Sequence, residues 1–122
     1  MNCIFCEIDK SRIKLENELG YAIFDGFPVS KGHMLIIPKR HIETYFEAVE
    51  DEKKLLWCLV DECKNYLDNE FNPDGYNVGI NCGKAAGQSV MHLHIHIIPR
   101  YNGDMDNPKG GVRGVIPEKR IY

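Results

Sequence analysis

Residues 91–100 read Met-His-Leu-His-Ile-His-Ile-Ile-Pro-Arg, so three histidines alternate with apolar residues. Successive side chains of a β-strand point to opposite faces of its sheet. A strand over this segment therefore turns all three imidazoles to one face and the residues between them to the core. The histidines are His92, His94 and His96, and the core residues are Leu93, Ile95 and Ile97. Because imidazole exchanges protons near neutral pH and can bind a metal or attack phosphorus, the pattern predicts a functional site.

The chain has 122 residues and a formal net charge of -3, which fits one soluble domain over residues 1–122 with an irregular tail from about residue 102. With this net negative charge we expect no basic surface that could bind nucleic acid. The longest apolar stretches, such as Met34–Pro38, are too short to span a bilayer, and residues 1–10 lack the features of a signal peptide. We therefore expect a cytoplasmic protein that binds neither membranes nor nucleic acid.

The order of predicted elements indicates the fold class. Strands are expected over 21–24, 33–38, 76–81 and 91–99, with turn-forming residues between the first two. Apolar residues recur at helical spacing from about Glu50 until the turn at Asn72. Strands, helix and strands in this order suit an α+β fold in which helices pack on one face of an antiparallel sheet. Strands two and four must then lie close together if the histidines are to converge.

Cysteine usage raises a metal hypothesis. The five cysteines are an odd number in a chain without a secretory signal, which favours thiols or metal ligands over disulfides. Cys3 and Cys6 have a spacing that can chelate zinc, and His41 and His92 could complete a tetrahedral set. A thioredoxin-like redox motif is the weaker alternative, because it belongs beside a βαβ pattern that this chain lacks.

The blocks around the histidines resemble the histidine triad (HIT) family of nucleotide hydrolases and transferases, in its bacterial-type form. The resemblance covers residues 3 to about 101 and rests on the segments 3–6, 22–25, 31–43 and 87–98 together with Asn81. It implies a five-stranded antiparallel sheet with one long and one or two short helices, usually in a homodimer. It also implies action at the α-phosphorus of a purine nucleoside mono- or polyphosphate derivative.

The resemblance assigns a role to each candidate site residue. His94 matches the family nucleophile, which would form a nucleotidyl-histidine that water resolves. Phosphate contacts would come from His96, Ser89 and Gln88, and Asn81 would lie beside the phosphate. Asp25 would accept from the ribose hydroxyls, and the loop that ends at Gly87 would let the phosphate approach the backbone. Cys3, Cys6, His41 and His92 match the family's structural zinc ligands, so His92 would support the site without taking protons.

Other interpretations of these residues stay open. Gln88 and Ser89 also suit turn and strand-entry hydrogen bonds, and the loop 83–87 is not a P-loop, so it suits a plain hairpin connection. Four apolar residues near the first strand are plausible walls for a base or ordinary core: Phe5, Ile8, Ile23 and Phe24. Four tail cations would either meet extra phosphates or form a solvated face: Lys109, Arg113, Lys119 and Arg120. His33 is either a partner of the triad or a packing residue.

The expected function is therefore nucleotide hydrolysis or transfer, with the leaving group left open between a phosphoramidate amine and a second nucleotide. One rival is a nucleotide-binding module without significant turnover. A second rival is a metal-handling protein that binds no nucleotide. Pro99-Arg100 follows the triad as in dinucleoside-polyphosphate-hydrolysing and bacterial members of the family. The Gly-Gly-Arg type of sequence found in the phosphoramidase branch is absent. The resemblance therefore leaves the substrate open.

Overall fold

The computed structural model describes residues 2–122, and its five strands form one antiparallel sheet in the order β1-β2-β3-β5-β4. The elements are β1 (Ile13–Glu16), β2 (Gly20–Phe24), β3 (Met34–Pro38), α1 (Glu50–Phe71), β4 (Gly75–Gly79) and β5 (Ile95–Arg100). Within the described residues the remaining helical segments are five 3-10 turns. The predicted α+β class with a five-stranded antiparallel sheet and one long helix is confirmed. No helix of residues 2–122 is long and apolar enough to cross a membrane.

The central strand β3 is buried on both faces, which explains its continuous apolar sequence. Met34 and Ile36 belong to the core that the sheet forms with α1. Leu35 and Ile37 belong to a second core, which the sheet forms with Cys3 and other N-terminal residues. The N-terminal segment therefore covers the sheet face opposite the helix, and the candidate site lies on this same face.

Helix α1 follows the predicted pattern at both ends. Glu50, Asp51 and Glu52 occupy its first turn, where the helix dipole favours negative charge. Asn72 ends the helix in the left-handed conformation with φ 49°. The helix approaches the sheet closely at Gly20, where a Cβ atom would lie 2.9 Å from Leu56 Cδ2. Glycine at this position permits the close packing of helix and sheet.

The last strand differs from its prediction at its start. The pattern predicts one strand over residues 91–99, but β5 begins at Ile95, because the pairing with β3 stops at Ile36, which is opposite Ile95. The segment before Ile95 instead bonds to the chain that follows β3, since the Leu93 amide donates to the Ile42 carbonyl at 2.7 Å. Leu93 is still buried in the core, as the alternation predicts. His92 and His94 thus lie at the entry to β5, and His96 lies within it.

Strand β1 had no counterpart in the four strands predicted from the residue pattern. Its four residues alternate between half-buried and exposed, which is too short a pattern to separate from a loop. In the structure β1 pairs with β2 and extends a row of side chains across the sheet. This row joins Ile13, Ile23, Leu35, His96 and Gly79, each opposite the next. His96 therefore stands beside an apolar floor on one side and a glycine on the other.

A buried carboxylate fastens the chain after β3 to helix α1. Glu52 is 3% exposed, and its carboxylate accepts hydrogen bonds from Arg40 Nε at 3.0 Å and Arg40 Nη2 at 2.8 Å. The same carboxylate accepts from the Val49 amide at 3.0 Å. The hydrogen bonds from Arg40 hold the pKa of Glu52 below its ordinary value. This contact fixes the segment that carries His41.

The substitution Glu52→Gln tests this contact. It keeps the size of the side chain but removes its charge and turns an amide donor toward the donors of Arg40 or Val49. We expect the free energy of unfolding to fall by about 1–2 kcal/mol, because Arg40 is half exposed and solvent weakens the ion pair. Urea denaturation at pH 7 measures the change, and Glu50→Gln, in the same helical turn but exposed, is the matched control. Equal stability of the two variants would contradict the role of Glu52.

Candidate active site and metal-ligand cluster

The five histidines form two neighbouring groups on one side of the sheet. His33, His94 and His96 make one group, in which the ring centroids of His94 and His96 are 5.0 Å apart and those of His33 and His96 are 5.2 Å apart. His41 and His92 make the other group, with centroids 4.8 Å apart. The alternating run is thus divided between two sites. His94 and His96 line a cavity, whereas the His92 ring is buried against thiols.

The ring of His94 is held by the backbone two residues earlier. Its Nδ1 lies 2.8 Å from the His92 carbonyl oxygen, which can only accept a hydrogen bond. Nδ1 therefore carries the proton, and Nε2 keeps its lone pair. The side chain is 8% exposed and lines a cavity of about 420 Å³, called here the histidine cavity. A ring in this state offers a nucleophilic nitrogen to a bound ligand.

A second set of hydrogen bonds orients His96. The Val29 amide donates to His33 Nδ1 at 3.0 Å, so the proton of the neutral His33 ring is on Nε2. That Nε2 lies 3.0 Å from His96 Nδ1 and donates to it. The proton of the neutral His96 ring is consequently on Nε2, the nitrogen left free for a ligand. His33, which the sequence left between two roles, is thus the partner of His96.

Burial keeps this pair of imidazoles neutral in the free protein. Desolvation, together with the neighbouring His94 and His33, lowers the pKa of His96 to about 4, against the opposing effect of Asp25. Desolvation also lowers the pKa of His33, against the opposing effect of Asp25. At neutral pH His96 therefore presents an uncharged N–H donor.

One side of the histidine cavity is apolar. Of the four predicted walls, Phe5, Ile8 and Ile23 line it. Phe24 does not, because consecutive residues of β2 face opposite sides of the sheet. Phe24 follows the alternative of ordinary core: its ring packs against Tyr66 and Phe71, on the helix side.

Phe27 is a cavity residue that the sequence analysis missed. Its side chain is 92% exposed, although it is large and apolar. The sequence did contain a signal for Phe27, because an aromatic residue that directly follows the Asp25-Gly26 turn is expected at the surface, away from the core. Arg12 also lines the cavity, and no sequence pattern indicated it.

Polar side chains line the other side of the cavity. Asp25, Asn81 and Ser89 all reach it, as the sequence predicted for a ligand site. One carboxylate oxygen of Asp25 accepts from the Phe27 amide at 2.8 Å, and the other lies 3.4 Å from His33 Nε2. Each oxygen keeps further lone pairs, so Asp25 can still accept from a ligand.

Gln88 and Gly87 lie outside the cavity lining. The Gln88 side chain is buried, and its carbonyl oxygen accepts from the Gly83 amide at 2.8 Å. Its amide nitrogen donates to the Glu43 carbonyl at 2.7 Å and to the Val90 carbonyl at 3.1 Å. Gly87 ends a 3-10 turn with φ 94°. The Gln88 side chain therefore links the loop 83–87 to the segment after β3. Of the two roles that the sequence left open for Gln88, these contacts correspond to turn hydrogen bonding.

The second group of histidines forms a metal-ligand cluster with Cys3 and Cys6. One donor atom from each of the four residues lies within 4.8 Å of all the others. His92 Nδ1 is 3.4 Å from Cys3 Sγ, 3.5 Å from Cys6 Sγ and 3.1 Å from His41 Nδ1, and Cys6 Sγ is 3.3 Å from His41 Nδ1. Tetrahedral zinc with its usual bond lengths separates S and N ligands by about 3.5 Å and two N ligands by about 3.3 Å. These four separations are close to those of a tetrahedral zinc site, so the cluster could hold a zinc ion.

The backbone also prepares His92 for this cluster. Its Nε2 lies 2.8 Å from the Pro38 carbonyl oxygen and donates to it. Nδ1 therefore has a free lone pair, directed at the two thiols. A carbonyl that fixes the tautomer of a metal-binding histidine is a common partner of such ligands.

Comparisons with known proteins agree with this architecture. The chain is 43% identical over 104 residues to the protein named Protein hit of Bacillus subtilis, covering 82% of this chain and 72% of the relative. It is 38% identical over 100 residues to the bis(5'-adenosyl)-triphosphatase of Dictyostelium discoideum, covering 82% and 67%. The crystal structure of a zinc-bound histidine triad family protein from Mycobacterium smegmatis superposes with a TM-score of 0.76 at 34% identity, covering 85% and 78%.

The family model described as the HIT domain matches residues 7–103. The match includes β1 to β5, helix α1 and all five histidines. Together with the identities to these relatives, it establishes the resemblance seen in the sequence. The chain belongs to the HIT family.

Proposed function

We propose that this protein hydrolyses or transfers nucleoside phosphate derivatives at the α-phosphorus through a nucleotidyl-His94 intermediate. The observation that carries the proposal is the hydrogen bond from His94 Nδ1 to the His92 carbonyl, which leaves the Nε2 lone pair at the histidine cavity. A relative named bis(5'-adenosyl)-triphosphatase supports the substrate class. The ligand would be a purine nucleoside mono- or polyphosphate derivative.

The walls of the cavity suit a nucleoside. Apolar side chains such as Ile8, Ile23 and Phe27 offer flat contacts to a base, and an exposed Phe27 ring can stack on it. Asp25 accepts hydrogen bonds from the ribose hydroxyls, because an ionised carboxylate is an acceptor only. These contacts hold the α-phosphate toward His94.

Three donors would hold the phosphate oxygens: the Ser89 hydroxyl, the Asn81 amide and the His96 Nε2–H. Charge shifts onto these oxygens during transfer, so a donor fixed in advance stabilises the transition state, by roughly 3 kcal/mol for a well-placed one. His96 is fixed by His33, and Ser89 follows Gln88, whose amide is bound on three sides by backbone. Gln88 and His33 would act here as positioning residues.

The reaction has two displacements at phosphorus. In the first, His94 Nε2 forms a bond to the α-phosphorus and the bond to the leaving group breaks, with its electron pair going to the leaving atom. A phosphate leaving group departs as an anion, whereas an amine also takes up a proton. In the second, water attacks phosphorus, the bond to Nε2 breaks, and the nucleoside monophosphate and free His94 are released. Another nucleophile in place of water would give transfer.

The substitution His94→Ala tests the nucleophile. We expect release of AMP from adenosine phosphoramidate and from diadenosine tetraphosphate to fall by about a thousandfold or more, because no other group replaces the covalent step. Binding of AMP, measured by calorimetry, should persist, since the apolar walls and Asp25, which hold the nucleoside, are unchanged. Retention of turnover in His94→Ala would contradict the mechanism. A wild-type protein that binds AMP but releases none from either compound would instead be the binding module.

We further propose that Cys3, Cys6, His41 and His92 hold a structural zinc ion. Two thiolates and two neutral imidazoles balance the charge of the ion, so the complex would not repel an anionic substrate. A bound zinc ion would link the N-terminal segment to the chain after β3 and to the entry of β5. The zinc-bound relative from Mycobacterium smegmatis supports this assignment.

The zinc assignment is tested by the metal content of two cysteine variants. Protein purified with zinc present should hold one equivalent, and Cys6→Ser should lose it and unfold at a lower temperature, because a structural zinc ion contributes to folding. Cys58→Ser is the matched control, since Cys58 is exposed on α1 and should leave the zinc content unchanged. Mass spectrometry of the metals measures the content. Zinc retained by Cys6→Ser would contradict the site.

The neutral His33–His96 pair predicts sensitivity to acid. Both histidines have a pKa near 6.5 in the unfolded chain and a lower pKa when folded, about 4 for His96. The unfolded state therefore binds more protons below pH 6.5, and the free energy of unfolding falls as pH falls toward 4. Each such histidine contributes a slope of at most about 1.4 kcal/mol per pH unit.

The substitution His96→Gln isolates this effect, because its amide oxygen can still accept from His33. The slope of the free energy of unfolding between pH 6.5 and about 4.5 should become shallower, since one titrating group is removed. Urea denaturation at several pH values measures the slope. Tyr122→Gln, an exposed tail substitution, should keep the wild-type slope. An unchanged slope in His96→Gln would show that His96 is not held neutral by burial.

A homodimer, which the resemblance implies, stays a prediction. In the described sheet β1 and β4 are the edge strands, so each has backbone groups without a strand partner on one side. Pairing of such an edge with a second copy would extend the sheet.

A further inference from the structure

Arg12 is a residue of the histidine cavity that the proposed chemistry does not use. It lines the cavity from the 3-10 turn Lys10–Arg12, directly before β1. Its Nη2 donates to the Phe24 carbonyl at 3.1 Å. Among residues 2–122, no carboxylate forms an ion pair with Arg12. A guanidinium carries several N–H donors in one plane, so Arg12 keeps donors for a bound ligand.

The pairing of the strands shows at which end of the cavity Arg12 lies. Arg12 directly precedes Ile13, which begins the row across the sheet: Ile13, Ile23, Leu35 and His96. Neighbouring strands lie about 4.8 Å apart, so the three steps of this row cover about 14 Å. Asp25 follows β2, between the two ends. With the phosphate beside His96 and the ribose at Asp25, the base of a nucleotide therefore extends toward Arg12.

Gly26 leaves the guanidinium of Arg12 open to the cavity. Gly26 itself lines the cavity, and a Cβ atom at this position would lie 4.0 Å from Arg12 Nη2. The φ angle of Gly26 is outside the left-handed region, so the turn does not require a glycine there. A larger side chain would extend between the guanidinium and a ligand. The missing side chain thus exposes Arg12 to a bound base.

Phe27 offers a surface for the face of the base, beside Arg12. Its side chain is 92% exposed and lines the cavity, and its backbone amide donates to the Asp25 carboxylate at 2.8 Å. The residue that would hold the ribose therefore also fixes the position of Phe27. A base that stacks on the Phe27 ring keeps its edge free for hydrogen bonds.

The donors of Arg12 suit one kind of purine edge. Guanine and hypoxanthine carry two neighbouring acceptors, N7 and O6, and the planar fork of an arginine can donate to both. Adenine carries the acceptor N7 next to the N6 amino group, which is a donor. Because a guanidinium has no acceptor, one of its N–H groups would then face another donor.

We propose that Arg12 selects the base of the substrate, and that the preferred substrates are derivatives of 6-oxopurine nucleotides, which carry guanine or hypoxanthine. The inference rests on the proposed function and deepens it. Two N–H groups of Arg12 donate to O6 and N7 of the base. Arg12 lies far from the reacting phosphorus, so it acts on the choice of nucleotide and not on the covalent steps.

Binding of GMP, IMP and AMP to the wild-type protein tests the selection. The three nucleotides have the same ribose and phosphate, so their affinities differ only through the base. We expect GMP and IMP to bind about tenfold or more tightly than AMP, because a bidentate contact discriminates between bases. IMP lacks the 2-amino group of GMP, so similar binding of the two assigns the effect to the O6 and N7 edge. Calorimetry measures each Kd.

The substitution Arg12→Met locates the effect. Methionine keeps an unbranched side chain but has no donor, so the ratio of GMP affinity to AMP affinity should fall to near one. Both nucleotides carry the same phosphate charge, and the loss of a positive charge therefore cancels from the ratio. Lys14→Met is the matched control, because Lys14 is an exposed cation of β1 whose Nζ lies 6.0 Å from the Phe24 ring, on the helix side. It should keep the wild-type ratio.

The same preference should govern turnover. The ratio of kcat/KM for guanosine and adenosine 5'-phosphoramidates should follow the ratio of the two affinities in the wild-type protein and in both variants, since the reacting ends of the substrates are identical. Release of GMP and AMP measures these values. Circular dichroism and the unfolding temperature verify that each variant folds.

The outcomes separate the two proposals. Absence of binding and of release for every compound would overturn both. A preference for GMP without release from either phosphoramidate would support the base selection and overturn the enzyme. Binding of GMP and AMP with similar affinity would overturn only the role of Arg12, and this includes the case in which its guanidinium stacks on the base. IMP binding as weakly as AMP, a wild-type ratio in Arg12→Met, or an equal loss in Lys14→Met would also overturn it.

Discussion

The candidate site depends on the hydrogen bonds that the backbone makes to His92 and His94. The Pro38 carbonyl accepts from His92 Nε2 and turns Nδ1 to the thiols of Cys3 and Cys6. The carbonyl of His92 in turn accepts from His94 Nδ1, which leaves Nε2 at the histidine cavity. One residue thus joins the metal-ligand cluster to the proposed nucleophile. A shift of its backbone would disturb both sites.

Hydrogen bonds also fix the tautomers of the two histidines on the other side of the cavity. His33 Nδ1 accepts from the Val29 amide and His33 Nε2 donates to His96 Nδ1, so both neutral rings have defined tautomers, and the Asp25 carboxylate lies 3.4 Å from His33 Nε2. Burial keeps both neutral, which makes His96 a fixed donor for a phosphate oxygen. A second cavity, of about 490 Å³, begins at His96, where Gly79 and the 3-10 turn Gly111–Val115 leave space.

The sequence predicted most of the fold because its patterns are local. Helix α1 has apolar residues at regular spacing and acidic residues in its first turn, and β3 is a continuous apolar run between turns. Strand β1 was not predicted because its four residues carry too little pattern, and β5 begins later than predicted because its pairing with β3 stops at Ile36. Such boundaries follow from pairing between distant segments, which a single sequence does not display.

For the site, the alternation alone placed His92, His94 and His96 on one side. The division of these histidines came from the Cys3 and Cys6 spacing and from the resemblance, which assigned His92 to the metal ligands, and in the structure His92 lies with both cysteines. Phe24 was left open between cavity wall and core, although its alternation with Ile23 already places the two side chains on opposite faces of β2. The second cavity had no sequence signal, because it forms only where the 3-10 turn Gly111–Val115 lies against β4 and β5.

The central claim concerns the protonation of individual ring nitrogens, and nitrogen-15 NMR of the labelled protein near neutral pH measures this directly. Couplings from the ring carbon-bound protons distinguish a nitrogen that carries hydrogen from one that has a free lone pair. We predict that His94 carries hydrogen on Nδ1 and none on Nε2, whereas His33 and His96 have the opposite arrangement. A His94 ring with its hydrogen on Nε2 would contradict the account, because no lone pair would then face phosphorus.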